Sequence, residues 1–291
     1  MMSLFVLNKI IPKVRFATLT GQPNGFFSTS NILKDSLTLM NVEEKGICRI
    51  TMNSIKKRNA LSLSMLQELI ERFKTAAEND SVKAVILAHN GPCFSAGHDL
   101  KELTSDNTKS YHAQVFQRCT ELMNLIQDIP TPVIAEVNGI AIAAGCQLVA
   151  TCDIAVATHT SLFAVPGVLI GLFCSTPGVA LARSIHRKQA LKMLFTGDPI
   201  TAQEALSYGL INEIVSEEKL QQTSELLASR IIRHSRHVIG IGKSTFYRQI
   251  KENRDDAYCL AEKVMVENLK HVDAQEGISS FFQKRPPNWI K

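Results

Sequence analysis

Three short apolar runs, separated by stretches of helical periodicity, constrain this chain more than any other feature. Residues 84–88 (AVILA), 133–137 (VIAEV) and 154–157 (IAVA) are short and carry almost no polar alternation. Runs of that kind suit strands buried on both faces of a parallel sheet. Ile47, Arg49 and Thr51 mark another strand before them. From Ser62, Leu63, Leu66, Leu69, Ile70 and Phe73 recur at helical spacing, and a second helix is expected over 109–127, ended by Pro130 and Pro132. Parallel strands need crossover connections, so the alternation predicts an α/β core. Beyond Thr176 the pattern becomes helix after helix, over 178–185, 187–195, 201–208, 216–235, 254–270 and 274–284. No short repeat or low-complexity linker interrupts it, and one domain is expected over 42–291.

Composition narrows the function classes. No uncharged apolar run approaches the roughly 18 residues that cross a bilayer as a helix, so no membrane span is expected. The seven cysteines are odd in number and include no Cys-x-x-Cys pair. That argues against a disulfide framework and a structural zinc site, and no metal is expected. The net charge of +5 suits a small anionic ligand. No basic–aromatic stripe accompanies it, so no nucleic-acid partner is expected. The first 34 residues contain no acid, and Lys9, Lys13 and Arg15 are interleaved with Leu4, Phe5, Leu7, Ile10, Ile11 and Phe16. With the hydroxyl-rich patch that follows, this is the composition of a mitochondrial transit peptide, expected over about residues 1–30 and directing the protein to the matrix.

Two loops carry the candidate chemistry. Residues 93–100 (CFSAGHDL) and 138–148 (NGIAIAAGCQL) each follow a core strand and are dominated by small residues. Ligands of α/β sheets bind where chains leave the C-terminal ends of strands. Small residues let a substrate approach the backbone, and a helix beginning near Ala144 would present unpaired N–H groups. Tight strand–helix packing is the alternative for either loop alone. Neither has the glycine spacing of a dinucleotide site or a P-loop.

Together FSAGHDL and NGIAIAAGCQLVATCDIAVAT, with FAVPGVLIGLF, TPGVALARSI, LFTGDPITAQEALSYGLINEIV and EGISSFFQKRPPNW, resemble the crotonase (enoyl-CoA hydratase/isomerase) superfamily from about residue 42 onward. The resemblance implies a ClpP/crotonase-like spiral ββα core with a helical C-terminal extension, its trimerisation region from about residue 200. It implies a coenzyme A thioester as ligand, no other cofactor, and assembly as a homotrimer or dimer of trimers. Backbone N–H groups of His98 and Ala144 would hold the thioester oxygen. Arg58, Ala60 and Leu61 would lie along coenzyme A, as would Ala96, which would accept a hydrogen bond from it. Gly97, Asp99, Leu100, Gly139 and Gly145 belong to the same implied binding loops, Asp99 pinning its loop by hydrogen bonds. Phe281 and Lys284 match positions that reach the nucleotide end, often from a neighbouring subunit.

The resemblance breaks at two positions. Hydrating members carry two glutamates, and here those positions are Gln147 and Gly167. An amide neither accepts a proton at neutral pH nor carries an acidic one. Ordinary hydration is therefore expected to be weak or absent, while the backbone donors survive. Three functions follow: an enoyl-CoA hydratase-like protein of fatty-acid metabolism with weak or atypical activity, a non-catalytic acyl-CoA-binding or regulatory protein, or an assembly protein. His98 is the first candidate for another base. Cys146 and Cys174 lack an evident histidine partner for nucleophilic work.

Overall fold

The computed structural model describes residues 36–290. The transit-peptide expectation lies outside the described residues. Six strands form the main sheet: β1 (Thr38–Val42), β2 (Ile47–Met52), β3 (Ala84–His89), β5 (Val133–Val137), β7 (Ile154–Thr158) and β10 (Glu213–Val215), in the order β1-β2-β3-β5-β7-β10. Only the β1–β2 pair in this sheet is antiparallel. The three apolar runs are its centre, and Val85, Ile86, Leu87, Val133, Ile134, Val156 and Ala157 have no exposed surface.

A second sheet of very short strands, β4 (Cys93–Ser95), β6 (Ile140–Ile142), β8 (Leu162–Ala164) and β9 (Ile200–Thr201), runs in the order β4-β6-β8-β9. Each of β4, β6 and β8 follows a main-sheet strand within a few residues and precedes a helix. These helices are α2 (Lys109–Asp128), α3 (Ala144–Thr151) and α4 (Ser175–Ser184). The β-β-α unit is thus laid down three times, which is the spiral core of the crotonase fold.

Helix α1 (Leu63–Glu78) follows from its sequence. Ser62 caps it by accepting from the Met65 N–H, and Leu66, Leu69, Ile70 and Phe73 are buried along one face. Helices α5 (Arg187–Thr196) and α6 (Ala202–Tyr208) continue the chain, and a capping box of Thr201 and Glu204 opens α6. The single helix expected over 216–235 is instead α7 (Glu217–Ile231), and a helix absent from the expectation, α8 (Arg236–Gln249), follows it. Ser235 breaks the two apart by capping α8 through the Val238 N–H. Lys243 on α8 enters the core, its Nζ donating to the Ile126 and Thr131 carbonyls and to Asp153 at 2.7–2.9 Å. Helices α9 (Arg254–Asn268) and α10 (Val272–Phe282) end the fold, and α9 buries no residue while Tyr258, Met265 and Val266 stand exposed.

Candidate active site

The site begins with three loops hydrogen-bonded into one body. Asn59 is fully buried; its amide donates to the Asn90 and Cys93 carbonyls and accepts from the Ser54 N–H. The Ala96 N–H donates to the Arg58 carbonyl at 3.0 Å and the Leu61 N–H to the Gly97 carbonyl at 2.8 Å. Ser95 Oγ donates to the Asn59 carbonyl and accepts from the Gly97 N–H. Arg58 and Asn59 both hold positive φ, 53° and 49°, a conformation these bonds stabilise.

The second loop is drawn onto the first by missing side chains. Gly97 has φ 77°, and a Cβ there would lie 2.8 Å from the Ile142 carbonyl oxygen and 3.2 Å from the Ala144 nitrogen. At Gly145 a Cβ would lie 2.6 Å from the Ser95 carbonyl oxygen. Ala143, the residue before α3, has φ 50°, rare for a residue with a side chain. Its N–H donates to the Ala164 carbonyl at 2.8 Å, fixing how α3 starts.

A cavity of about 320 Å³ opens beside this junction. Ala96, His98, Leu100, Leu103 and Phe116 line it together with Ile142, Ala143 and Ala144 of the second loop. Pro166, Gly167, Ile170 and residues 172–177 form the facing wall. Among the described residues, the backbone N–H groups of His98 and Ala144 have no hydrogen-bond acceptor. Both residues line the cavity, and the Ala144 N–H belongs to the first turn of α3, where the helix dipole adds positive potential. Two such donors can hold an oxygen that gains charge.

The expected residues divide by place. Ala96, His98, Leu100, Ala144 and Gly167 line the cavity, whereas Ala60, Leu61, Gly97 and Gly145 are packed behind it. Asp99 is buried beside it. Burial would raise its carboxyl, but the Lys101 N–H and the Lys57 ammonium outweigh that and hold it below its ordinary value. Gly139 lies in the β5–β6 turn against Pro92 and does not line the cavity. Gln147 is buried on α3 outside the lining, its Oε1 without a partner. Phe281 and Lys284, at the end of α10, do not line the cavity within this chain, and Phe281 is 79% exposed. Phe116, Leu172 and Phe173 were not expected. The signal for Phe116 was an aromatic on α2 beside the buried stripe of Val115, Cys119 and Leu122.

Gly167 does more than lack a carboxylate. A Cβ there would lie 2.5 Å from the Leu172 carbonyl oxygen and 2.8 Å from Cys174 Sγ. The Leu172 N–H returns to the Gly167 carbonyl at 2.9 Å, and the Gly167 N–H donates to Cys174 Sγ at 3.3 Å. The turn is closed around the absence of a side chain. Burial raises the Cys174 thiol above its ordinary value and pushes Cys146 up to about 12, so neither is a ready thiolate.

His98 is the polar side chain of the opposite wall. Its Nδ1 lies 3.2 Å from the Leu61 carbonyl oxygen. A carbonyl only accepts, so Nδ1 carries the proton and Nε2 keeps a lone pair. Burial lowers the imidazole below its ordinary range, against the raising effect of the Leu61 bond, so it is neutral at pH 7. Nε2 is buried without a partner, and the Phe116 ring meets the imidazole edge-to-face at 5.1 Å between centroids. Among the described residues, no cluster of three or more His, Cys, Asp or Glu could hold a metal ion, and no helix is long and apolar enough to cross a membrane.

The family profile described as Enoyl-CoA hydratase/isomerase matches residues 42–291. Enoyl-CoA hydratase domain-containing protein 3, mitochondrial, of Xenopus laevis is 51% identical over 274 residues, spanning 94% of this chain and 93% of that protein. The crystal structure of human enoyl Coenzyme A hydratase domain-containing protein 3 superposes with a TM-score of 0.85 at 52% identity, covering 87% of this chain and all of that one. The crystal structure of an enoyl-CoA hydratase of Mycobacterium smegmatis gives the same TM-score at 47% identity, covering 88% of this chain and 99% of that one. The chain belongs to the enoyl-CoA hydratase/isomerase family.

Proposed function

We propose that this member of the enoyl-CoA hydratase/isomerase family binds an acyl-CoA thioester in the cavity, with the carbonyl oxygen on the N–H groups of His98 and Ala144, and hydrates enoyl-CoA poorly or not at all. The observation that carries this reading is the pair of unpartnered donors in the lining of a predominantly apolar cavity. A thioester head needs the donors, and an acyl chain needs the apolar wall. Glutamine at 147 and glycine at 167 remove both groups that would activate a water. A positioned acid or base contributes roughly 10²–10⁴ in rate, so losing the pair leaves hydration at least about 10²-fold below that of a two-glutamate enzyme.

The remaining parts of the reading follow. Residues 1–30 direct the chain to the mitochondrial matrix, in keeping with the mitochondrial names of its relatives. The uncovered apolar residues of α9 and α10 are buried between subunits of a trimer or dimer of trimers, from which Phe281 and Lys284 reach the nucleotide end of a neighbour's coenzyme A. The protein serves acyl-CoA metabolism. A purely ligand-binding, regulatory role is the second reading, favoured by the Gly167 turn, which has no room for the lost carboxylate.

The test is calorimetric titration of the protein lacking residues 1–30 with short, medium and long enoyl-CoAs, with product followed by mass spectrometry. Binding with little or no 3-hydroxyacyl-CoA formed is expected. Hydration at the rate of a two-glutamate relative would contradict the chemistry, and no binding would contradict the ligand. Sedimentation as a monomer at micromolar concentration would contradict the assembly.

A further inference from the structure

We propose that His98 is a catalytic base that removes a proton from the carbon next to the thioester carbonyl, giving this site one-base enolate chemistry in place of hydration. The inference rests on the thioester reading above and adds the reaction to it.

Three observations carry it. First, His98 combines two features in one residue: it lines the cavity and its N–H is one of the two donors without an acceptor, while its imidazole packs against Phe116 of the same lining. A carbonyl oxygen held on that N–H brings the adjacent carbon within one side-chain length of the imidazole. Second, the tautomer is set. Nδ1 is engaged by the Leu61 carbonyl, so the lone pair is on Nε2. Third, Nε2 is buried with no partner in a residue that lines the cavity, so its lone pair is not engaged by the protein. Phe116, packed edge-to-face against the imidazole, is 39% exposed and lines the same cavity.

The surrounding charges leave the imidazole to act alone. Asp99 is engaged by Lys57 and the Lys101 N–H, Glu102 accepts from the Leu63 N–H, and His112 on α2 is bonded to the Thr104 carbonyl. On the facing wall the titratable group is Cys174, a protonated thiol at neutral pH.

The step balances within the site. The Nε2 lone pair takes the proton, and the C–H electron pair becomes the carbon–carbon double bond of an enolate. The carbonyl π pair moves onto the oxygen held by the two N–H groups. The imidazolium then returns a proton to the same carbon, after exchange with solvent. For a 3-enoyl thioester it can instead deliver the proton to the fourth carbon, which shifts the double bond into conjugation with the carbonyl. Neither outcome adds water or needs an oxidant or a second carboxylate.

The experiment incubates the protein with hexanoyl-CoA in deuterated water and reads deuterium at the second carbon by mass spectrometry, beside calorimetric binding of the same ligand. Exchange is expected in the unaltered protein. His98→Asn keeps a donor near the Nδ1 position but removes Nε2, and is expected to bind within a few-fold while exchange falls at least about 10²-fold. Conversion of 3-hexenoyl-CoA to 2-hexenoyl-CoA should fall in parallel. The pH profile of exchange in the unaltered protein should be flat near neutrality and drop through one inflection below the ordinary imidazole value. That profile decides the matter should His98→Asn not fold. Binding without exchange, exchange undiminished in folded His98→Asn, or a profile without the inflection would overturn the inference. No binding at all would overturn the thioester reading, and this inference with it.

Discussion

Behind one wall of the cavity the loops at 57–61, 93–98 and 139–145 use their backbone groups on one another and pack at distances that exclude a Cβ. On the facing wall, residues 166–177 close a turn around Gly167 and leave Leu169, Ile170, Leu172 and Phe173 between 41% and 52% exposed. The first wall places donors, and it does so with main-chain atoms held by buried Asn59 and by glycines. The second wall carries Gly167, where the family resemblance implies a carboxylate, and it is largely apolar surface. Donors built from backbone geometry tolerate side-chain replacement, so the proposed thioester cradle does not depend on carboxylates at 147 and 167. A Gly167→Glu side chain has no room in this turn, because the Leu172 carbonyl and Cys174 Sγ occupy the space.

The contrast can be broken first at the glycines. Gly145→Val forces side-chain atoms onto the Ser95 backbone and is expected to cost about 3 kcal/mol or more, read as a shift in urea midpoint, with thioester binding lost. A Gly145→Val protein as stable as the parent would show that the two loops do not depend on this contact. An effect of similar size is expected on acidification. Burial holds His89, whose Nε2 accepts from the Asn138 N–H, at about 4. The folded state therefore binds fewer protons than the unfolded one. The stabilising contribution is complete above an unfolded value of about 6.5 and is lost as pH falls through the folded value of about 4. The loss is on the order of 3 kcal/mol over that window, and His89→Phe should flatten that part of the pH–stability curve.

Smaller effects sharpen the other side. Gly171 holds φ 77° with nothing within 4 Å of a built Cβ. Gly171→Ala should therefore cost only the left-handed backbone penalty, about 1 kcal/mol, by urea unfolding. A loss as large as that of Gly145→Val would mean the facing wall is as tightly built as the cradle. Phe173→Ser should leave unfolding within about 0.5 kcal/mol of the parent, yet weaken long-chain acyl-CoA binding more than short-chain binding in calorimetry. Equal weakening for both chain lengths would remove the acyl chain from this wall.

The central strands were legible because burial on both faces leaves an unbroken apolar run, as in 84–88. The second sheet was not: β4, β6 and β8 are three residues each, too short for alternation, and their small residues resemble turn. Helix α8 was hidden by Gly240 and Gly242. Gly240 is there for contact, since a Cβ would lie 2.9 Å from Pro130 Cβ. In the site, the spacing of small residues pointed to two loops, and the family resemblance gave each position its role. Neither revealed which nitrogen of His98 is engaged, that Gln147 is buried outside the lining, or that the Gly167 turn is filled by Cys174 and Leu172. Those depend on packing between segments distant in sequence.

The most direct test compares hexanoyl-CoA with S-hexyl-CoA, the thioether that lacks only the carbonyl oxygen, by calorimetry at pH 7. The cradle account predicts tighter binding of the thioester, by roughly the 0.5–1.5 kcal/mol per hydrogen bond that such donors contribute, or several-fold or more for two. Equal affinity for the two ligands would mean that the His98 and Ala144 N–H groups do not hold a carbonyl, and the proposed function would fall.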